Sequence, residues 1–215
     1  MADQEKTKYE LQIEALKRWL KDIGADRSVK ALQFAAKSHK GQFRKPRRDK
    51  VPYIVHPVEM TLHALSLGIE NDDMLAAILL HDVVEDCDVA LKDLPCSDDT
   101  RRWVRLLTKD KQNYSAKEYY AAIAADPKAS FIKCLDRINN LSGAATGFES
   151  VAKVRAYALE TKEYFDALIQ AVGSYPFAMY CKAAWLFGHQ LHGLVTTILK
   201  LTESSEAAPA ESDPS

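Results

Sequence analysis

The 215-residue chain carries 29 Lys and Arg against 30 Asp and Glu, a formal charge of −1. That balance argues against a partner held by bulk positive charge, such as a long nucleic acid or an anionic membrane. Hydrophobic residues at 47% and charged residues at 27% are the mixture of a folded globular chain, and eight Gly with eight Pro fall below the roughly 12% that these two usually supply together, so a turn-rich all-β chain is disfavoured and helix is expected.

The opening MADQEKTKYE has no apolar run that reads as a secretory leader. Residues 1–24 read as one amphipathic helix, with Leu11, Ile13, Leu16, Trp19 and Leu20 at helical spacing and Gly24 as its stop. A second helix is expected over 26–40. Residues 41–52, GQFRKPRRDKVP, have two prolines, no periodicity and the cations Arg44, Lys45, Arg47, Arg48 and Lys50, which reads as a loop. A third helix starts at His56-Pro57, where Pro costs no backbone hydrogen bond, and ends near Gly68. From Asp72 the run MLAAILLHDVV is apolar almost all round, the mark of a helix at the centre of a bundle.

Residues 88–100 are acidic and broken by Pro95, so loop or short turns are expected, followed by two shorter helices over 103–107 and 115–125. Asp126-Pro127 opens a further helix with Phe131, Ile132, Leu135, Ile138 and Leu141 as its apolar positions, ended by Gly143 and Gly147. Residues 151–172 are helical, 173–176 break the chain, and 177–201 form a last long helix. Lys182, His189, Gln190 and His192 interrupt that segment, so a membrane span is not expected. Four scattered cysteines, Cys87, Cys96, Cys134 and Cys181, have no CxxC spacing and suit reduced thiols in a cytoplasm.

The chemistry concentrates at His81 and Asp82, followed by Glu85 and Asp86, at the end of the most apolar helix. An imidazole and a carboxylate among Leu, Ile and Val cost several kcal/mol unless compensated, and a divalent cation compensates. A hydrated helix end is the plainer alternative. His56 could equally be a capping histidine, and Asp136, among apolar neighbours in SFIKCLDRINNL, could pair with a nearby Lys or Arg. Together, two His and two Asp from three helices make a mixed N/O set suited to Mn²⁺, Fe²⁺ or Zn²⁺. Asn140 falls one turn after Asp136 and shares its face. His189 and His192, three apart, have no carboxylate word beside them and read as core or surface histidines.

The order His56, His81-Asp82, Asp136 resembles the HD phosphohydrolase superfamily. The words GQFRK, PYIVHP, LLHDVVED, IKCLDRINNL and ALETKEYF, in that order over about 26–176, resemble the hydrolase domain of the RelA/SpoT alarmone enzymes. The resemblance implies an all-α, single-domain HD-type bundle over 26–176. An N-terminal helix over 1–25 packs on it, an additional C-terminal helix covers 177–202, and 203–215 lack apolar bulk and are expected to be disordered. It implies His56, His81, Asp82 and Asp136 as ligands of one Mn²⁺, and Glu85 and Asp86 as the acidic pair that orients or deprotonates the attacking water. Arg44 and Lys45 are then the basic pair near the nucleotide, and Asn140 lies by the ribose.

The reaction implied is removal of the 3′-pyrophosphate from a guanosine tetra- or pentaphosphate, giving GDP or GTP and pyrophosphate. Too little chain follows residue 176 for the synthetase domain of the long enzymes, so a hydrolase-only protein is expected. Three departures stand out: a longer basic loop, Leu141-Ser142-Gly143 where the family often has Met-Arg-Thr, and Cys87 in place of Thr. The first two touch the nucleotide pocket, so adenosine alarmones stay open beside guanosine ones. Also open are an HD phosphatase for another ester, such as the 2′-phosphate of NADPH, a non-catalytic alarmone-binding module, and a homo-oligomer contact through the last helix.

Overall fold

The computed structural model describes residues 7–44, 50–144 and 148–206. Among these residues the regular structure is helical, with one isolated antiparallel bridge between Phe43 and Pro52. Helix α1 (Lys8–Asp22) is opened by a capping box in which Thr7 and Glu10 satisfy each other's backbone N–H groups. The expected stops at Gly24 and Gly68 hold for a physical reason: both residues sit at positive φ, +72° and +82°, where a side chain would strain the backbone.

Helix α2 (Asp26–Ser38) is tied at its start to α4 (Asp72–Leu80), because the Asp72 carboxylate accepts from the backbone N–H groups of Arg27 and Ser28 and from the Ser28 hydroxyl. Helix α3 (Val55–Ser66) carries His56 and Pro57 in its first turn. Every residue of α4 from Met74 to Leu80 is buried, and the helix packs on α2, α3, α6 (Asp98–Leu107) and α8 (Pro127–Ser142), which is the central position its all-round apolar sequence demands.

The acidic stretch is less irregular than its sequence suggests. Ser97 caps α6, with Asp98 and Asp99 in its first turn, so helix starts five residues before Trp103. Helix α7 (Ala116–Ala124) leads to α8, whose cap Asp126 accepts from the backbone N–H groups of Lys128 and Ala129. Helices α9 (Val151–Ser174) and α10 (Ala178–Glu206) form an antiparallel hairpin laid over α8. No described helix is long and apolar enough to cross a membrane.

The apolar helix does not run unbroken through the His-Asp dipeptide. Helix α4 stops at Leu80, His81 caps its C-terminal end, and Asp82 opens the one-turn α5 (Val83–Asp86). The His81 imidazole itself takes up a terminal carbonyl of α4, as Nδ1 donates to the Ile78 oxygen at 2.9 Å.

Candidate metal centre and active site

Three elements deliver the four residues singled out from the sequence. The α3 start supplies His56, the α4–α5 junction His81 and Asp82, and the middle of α8 Asp136. Ligand atoms of His56, His81 and Asp82 all lie within 4.8 Å of one another. His81 Nε2 is 3.0 Å from Asp82 Oδ2, and His56 Nε2 is 3.6 Å from the same oxygen. Asp136 Oδ1 stands 3.2 Å from His56 Nε2 and 4.0 Å from His81 Nε2.

Both imidazoles are oriented from behind. His81 Nδ1–H is held by the Ile78 carbonyl, and His56 Nδ1–H donates to Asn139 Oδ1 at 2.6 Å, so each ring turns Nε2 toward the carboxylates. This is the arrangement in which a ring nitrogen serves as a metal ligand while the other is anchored. His81 Nε2 is fully buried and has no hydrogen-bond partner of proper geometry. That nitrogen stands 3.0 Å from one carboxylate oxygen and 4.0 Å from another, a grouping of buried charge that a cation satisfies, so the donor set fits a divalent ion.

The electrostatics agree. Burial works to lower the His81 pKa, but the adjacent Asp82 carboxylate, with Asp136 behind it, raises it to about 9. Burial likewise opposes ionisation of Asp82 and Asp136. His81 nevertheless holds the Asp82 carboxyl below the usual range, and Lys133 holds that of Asp136 well below it. In the bare protein a proton on His81 thus stands where a metal would compete for the same charge.

The carboxylates are also fixed individually. Tyr53 OH donates to Asp82 Oδ2 at 2.6 Å, and burial together with Asp82 and Asp86 pushes that phenol far above its ordinary pKa, so it remains a donor. Lys133 Nζ donates to Asp136 Oδ2 at 2.8 Å, and Asn140 Nδ2 to Asp136 Oδ1 at 2.6 Å. Lys133 is almost entirely buried. Burial alone would discharge it, yet Asp136 raises its pKa well above the ordinary lysine value. The ammonium therefore occupies one oxygen of Asp136 and leaves the other turned toward the histidines.

Arg44 joins the basic loop to this centre. Its Nη1 donates to Asn139 Oδ1 at 2.8 Å and its Nη2 to Asn140 Oδ1 at 2.6 Å, while Asn139 Nδ2 donates to Glu59 Oε2 at 3.1 Å. Arg44 and Asn140, both expected near a nucleotide, thus sit together beside His56. Lys45, Arg47 and Arg48 lie outside the described residues.

Glu85 and Asp86 follow one turn after the His-Asp pair but outside the cluster of ligand atoms. Glu85 Oε2 accepts from the Lys109 backbone N–H at 3.3 Å, and the exposed Asp86 lies close enough to raise the Tyr53 pKa.

Tyr53 and Asn139 are neighbours of the cluster that the sequence did not single out, whereas Lys133 is a nearby cation of the kind expected to pair with Asp136. Lys133 had a usable signal, being a cation three residues before Asp136 among Phe, Ile, Cys and Leu. Asn139 stands next to Asn140, and Tyr53 lies in PYIVHP, where His56 carries the chemical signal.

No family model matches the chain. A probable guanosine-3′,5′-bis(diphosphate) 3′-pyrophosphohydrolase of Synechocystis is 30% identical over 185 residues, covering 76% of this chain and 24% of the relative. The Drosophila melanogaster protein named guanosine-3′,5′-bis(diphosphate) 3′-pyrophosphohydrolase MESH1 is 32% identical over 120 residues, covering 53% of this chain and 66% of its own. The chain therefore spans about a quarter of the first of these relatives and two thirds of the second.

A solved structure described as a metazoan ortholog of SpoT that hydrolyzes ppGpp superposes with a TM-score of 0.63 at 26% identity, covering 78% of this chain and 96% of that one. An all-helical bundle in which HD-type histidines and aspartates converge, matched in sequence and fold to proteins of this kind, fixes the relationship: the chain belongs to the SpoT-related family of HD-type alarmone hydrolases.

Proposed function

We propose that the protein is a Mn²⁺-dependent hydrolase that removes the 3′-pyrophosphate from guanosine 3′,5′-polyphosphates or their adenosine equivalents. The observation that carries this reading is the His56–His81–Asp82 cluster, its two histidines buried and Asp82 half-buried, with Arg44 against His56. The relatives' names supply the substrate class, since two are called ppGpp 3′-pyrophosphohydrolases and the structural neighbour is described as hydrolyzing ppGpp.

In this reading His56, His81, Asp82 and Asp136 hold the ion. A divalent cation there supplies charge neutralisation for the phosphate and acidifies a water toward a pKa of ~7. Glu85 and Asp86, one turn on, steer or accept the proton of the attacking water. Attack at the phosphorus attached to the 3′-oxygen forms the new P–O bond and breaks the bond to the ribose oxygen, which leaves as the 3′-hydroxyl after protonation. Arg44 and Lys45 take the phosphate charge, with Arg44 held at the correct reach by Asn139 and Asn140. Asn140 meets the ribose side. Lys133, locked to Asp136, keeps that carboxylate ionised throughout.

Product analysis tests the reading. Purified protein with Mn²⁺ is incubated with guanosine and adenosine tetraphosphates and with NADPH, and the products are separated by ion exchange. Release of pyrophosphate with the matching nucleoside diphosphate is the expected result. Orthophosphate from NADPH alone would instead assign a 2′-phosphatase of the same fold, and tight binding with every nucleotide recovered intact would assign a sensor.

A further inference from the structure

Arg137 follows Asp136 directly, yet its side chain points away from the cluster into the interface of three helices. It is fully buried, at 0% exposure. Its Nη1 donates to the Tyr157 carbonyl and the Thr161 hydroxyl, each at 3.0 Å, and its Nη2 to Tyr120 OH at 2.5 Å and Glu160 Oε2 at 2.9 Å. The guanidinium carbon lies 3.6 Å from the Tyr157 ring centroid and 4.6 Å from that of Phe165. One planar cation thus ties α8 to α7 and α9.

The cost of this arrangement is high for a structural tie. Desolvating a guanidinium costs several kcal/mol, and apolar replacements of buried ion pairs are often as stable or more so. The carboxylate partner, Glu160, keeps 24% of its side chain in water, and Nε of Arg137 is buried without a partner. What the cation gives in return is geometry, because a rigid fork clamped over the Tyr157 ring fixes where that ring lies.

Tyr157 OH in turn accepts from Asn140 Nδ2 at 3.3 Å. Asn140 is the residue that donates to Asp136 Oδ1 and accepts from Arg44 Nη2, each at 2.6 Å. The chain of contacts therefore runs from a buried cation, through an aromatic ring, to an amide that touches both Asp136 and Arg44.

We infer that Arg137 is a positioning residue: by seating the Tyr157 ring it fixes the Asn140 amide, and through Asn140 it sets Asp136 and Arg44 relative to each other. The inference rests on the metal-centre reading above, and its first readout needs neither metal nor turnover. In the metal-free protein the Asn140 side-chain amide gives its own NMR signal. Arg137→Lys keeps the charge but loses the fork, and Tyr157→Phe removes only the hydroxyl. Phe165→Leu disturbs the packing over Arg137 without touching Asn140.

Arg137→Lys and Tyr157→Phe should each shift the Asn140 amide signal and weaken Mn²⁺ binding, measured calorimetrically, by about tenfold, the usual effect of losing an outer-sphere partner. The double variant should be little worse than Arg137→Lys, because both act through one path. Phe165→Leu, which leaves every hydrogen bond of the fork in place, should lower the melting temperature and change both readouts far less than Arg137→Lys. If both Arg137→Lys and Tyr157→Phe leave the Asn140 signal in place, with any loss confined to thermal stability, Arg137 is a structural latch and the inference fails. A wild-type protein that releases no pyrophosphate, with the Asn140 shifts as expected, would overturn the assigned reaction and leave this inference standing.

Discussion

His81 and Asp82 are neighbours in sequence that do different mechanical work. The imidazole closes α4 by taking the Ile78 carbonyl, whereas Asp82 begins α5 and accepts from Tyr53. Because Asp82 and Asp136 raise the His81 pKa to about 9, the bare protein carries a proton on His81 at neutral pH. That proton must leave before Nε2 can bind a metal.

The sign follows from competition. Below about pH 9 each unit of acidification makes the proton tenfold harder to displace, so metal affinity falls as pH falls. Calorimetric titration with Mn²⁺ between pH 6 and 8 should show Kd rising about tenfold per unit drop, with close to one proton released per ion. A Kd independent of pH would mean that His81 is not a ligand.

At this scale the sequence was readable where chemistry forces an unusual residue into an apolar setting. His56, His81, Asp82 and Asp136 stand out for that reason, and the structure brings them together. Their supports were harder to see. Tyr53 and Asn139 are ordinary residues by composition, and only the fold shows that they meet a carboxylate and a histidine, whereas Lys133 is a cation three residues before the Asp136 it pairs with.

Among the elements, α4 is the most directly encoded. Seven consecutive apolar residues can be satisfied only at the centre of a bundle, and Met74 to Leu80 are all buried there. Helix boundaries set by capping were less legible, since the Ser97 cap that advances α6 into the acidic stretch depends on a backbone geometry that composition does not reveal.

The α9–α10 hairpin is a further case. The sequence marked two helices and a break, but nothing in their periodicity says which neighbour they cover. In the fold, Phe187 of α10 is fully buried, with its ring 5.0 Å from Phe131 of α8 and 6.3 Å from His63 of α3. Helix α10 is therefore part of the core that supports the centre, and not an appendage to it. Phe187→Ala should cost about 3–5 kcal/mol in urea unfolding, by lost transfer energy plus the cavity left behind. A loss below about 1 kcal/mol, the range of surface substitutions, would place α10 outside the cooperative core.

Across the whole molecule, a charge of −1 conceals strong local order. Arg44 is held by Asn139 and Asn140, and the buried Lys133 pairs with Asp136. The arrangement suits a small, densely charged ligand gripped at one point. Which base a nucleotide ligand would carry was not legible, because Leu141-Ser142-Gly143 depart from the Met-Arg-Thr that the resemblance leads one to expect.

The central claim is that this centre holds the ion that drives release of pyrophosphate, and phosphorus NMR tests it in one experiment. Guanosine 3′,5′-bis(diphosphate) is followed with Mn²⁺ and either the wild-type chain or Asp82→Asn, which keeps the size of the side chain and removes its charge. The wild-type sample should convert the 3′-diphosphate signals into those of free pyrophosphate and GDP. The variant, still helical by circular dichroism, should be slower by about 10³ or more, some 4 kcal/mol of barrier. Equal rates in the two samples, or orthophosphate in place of pyrophosphate, would contradict the account.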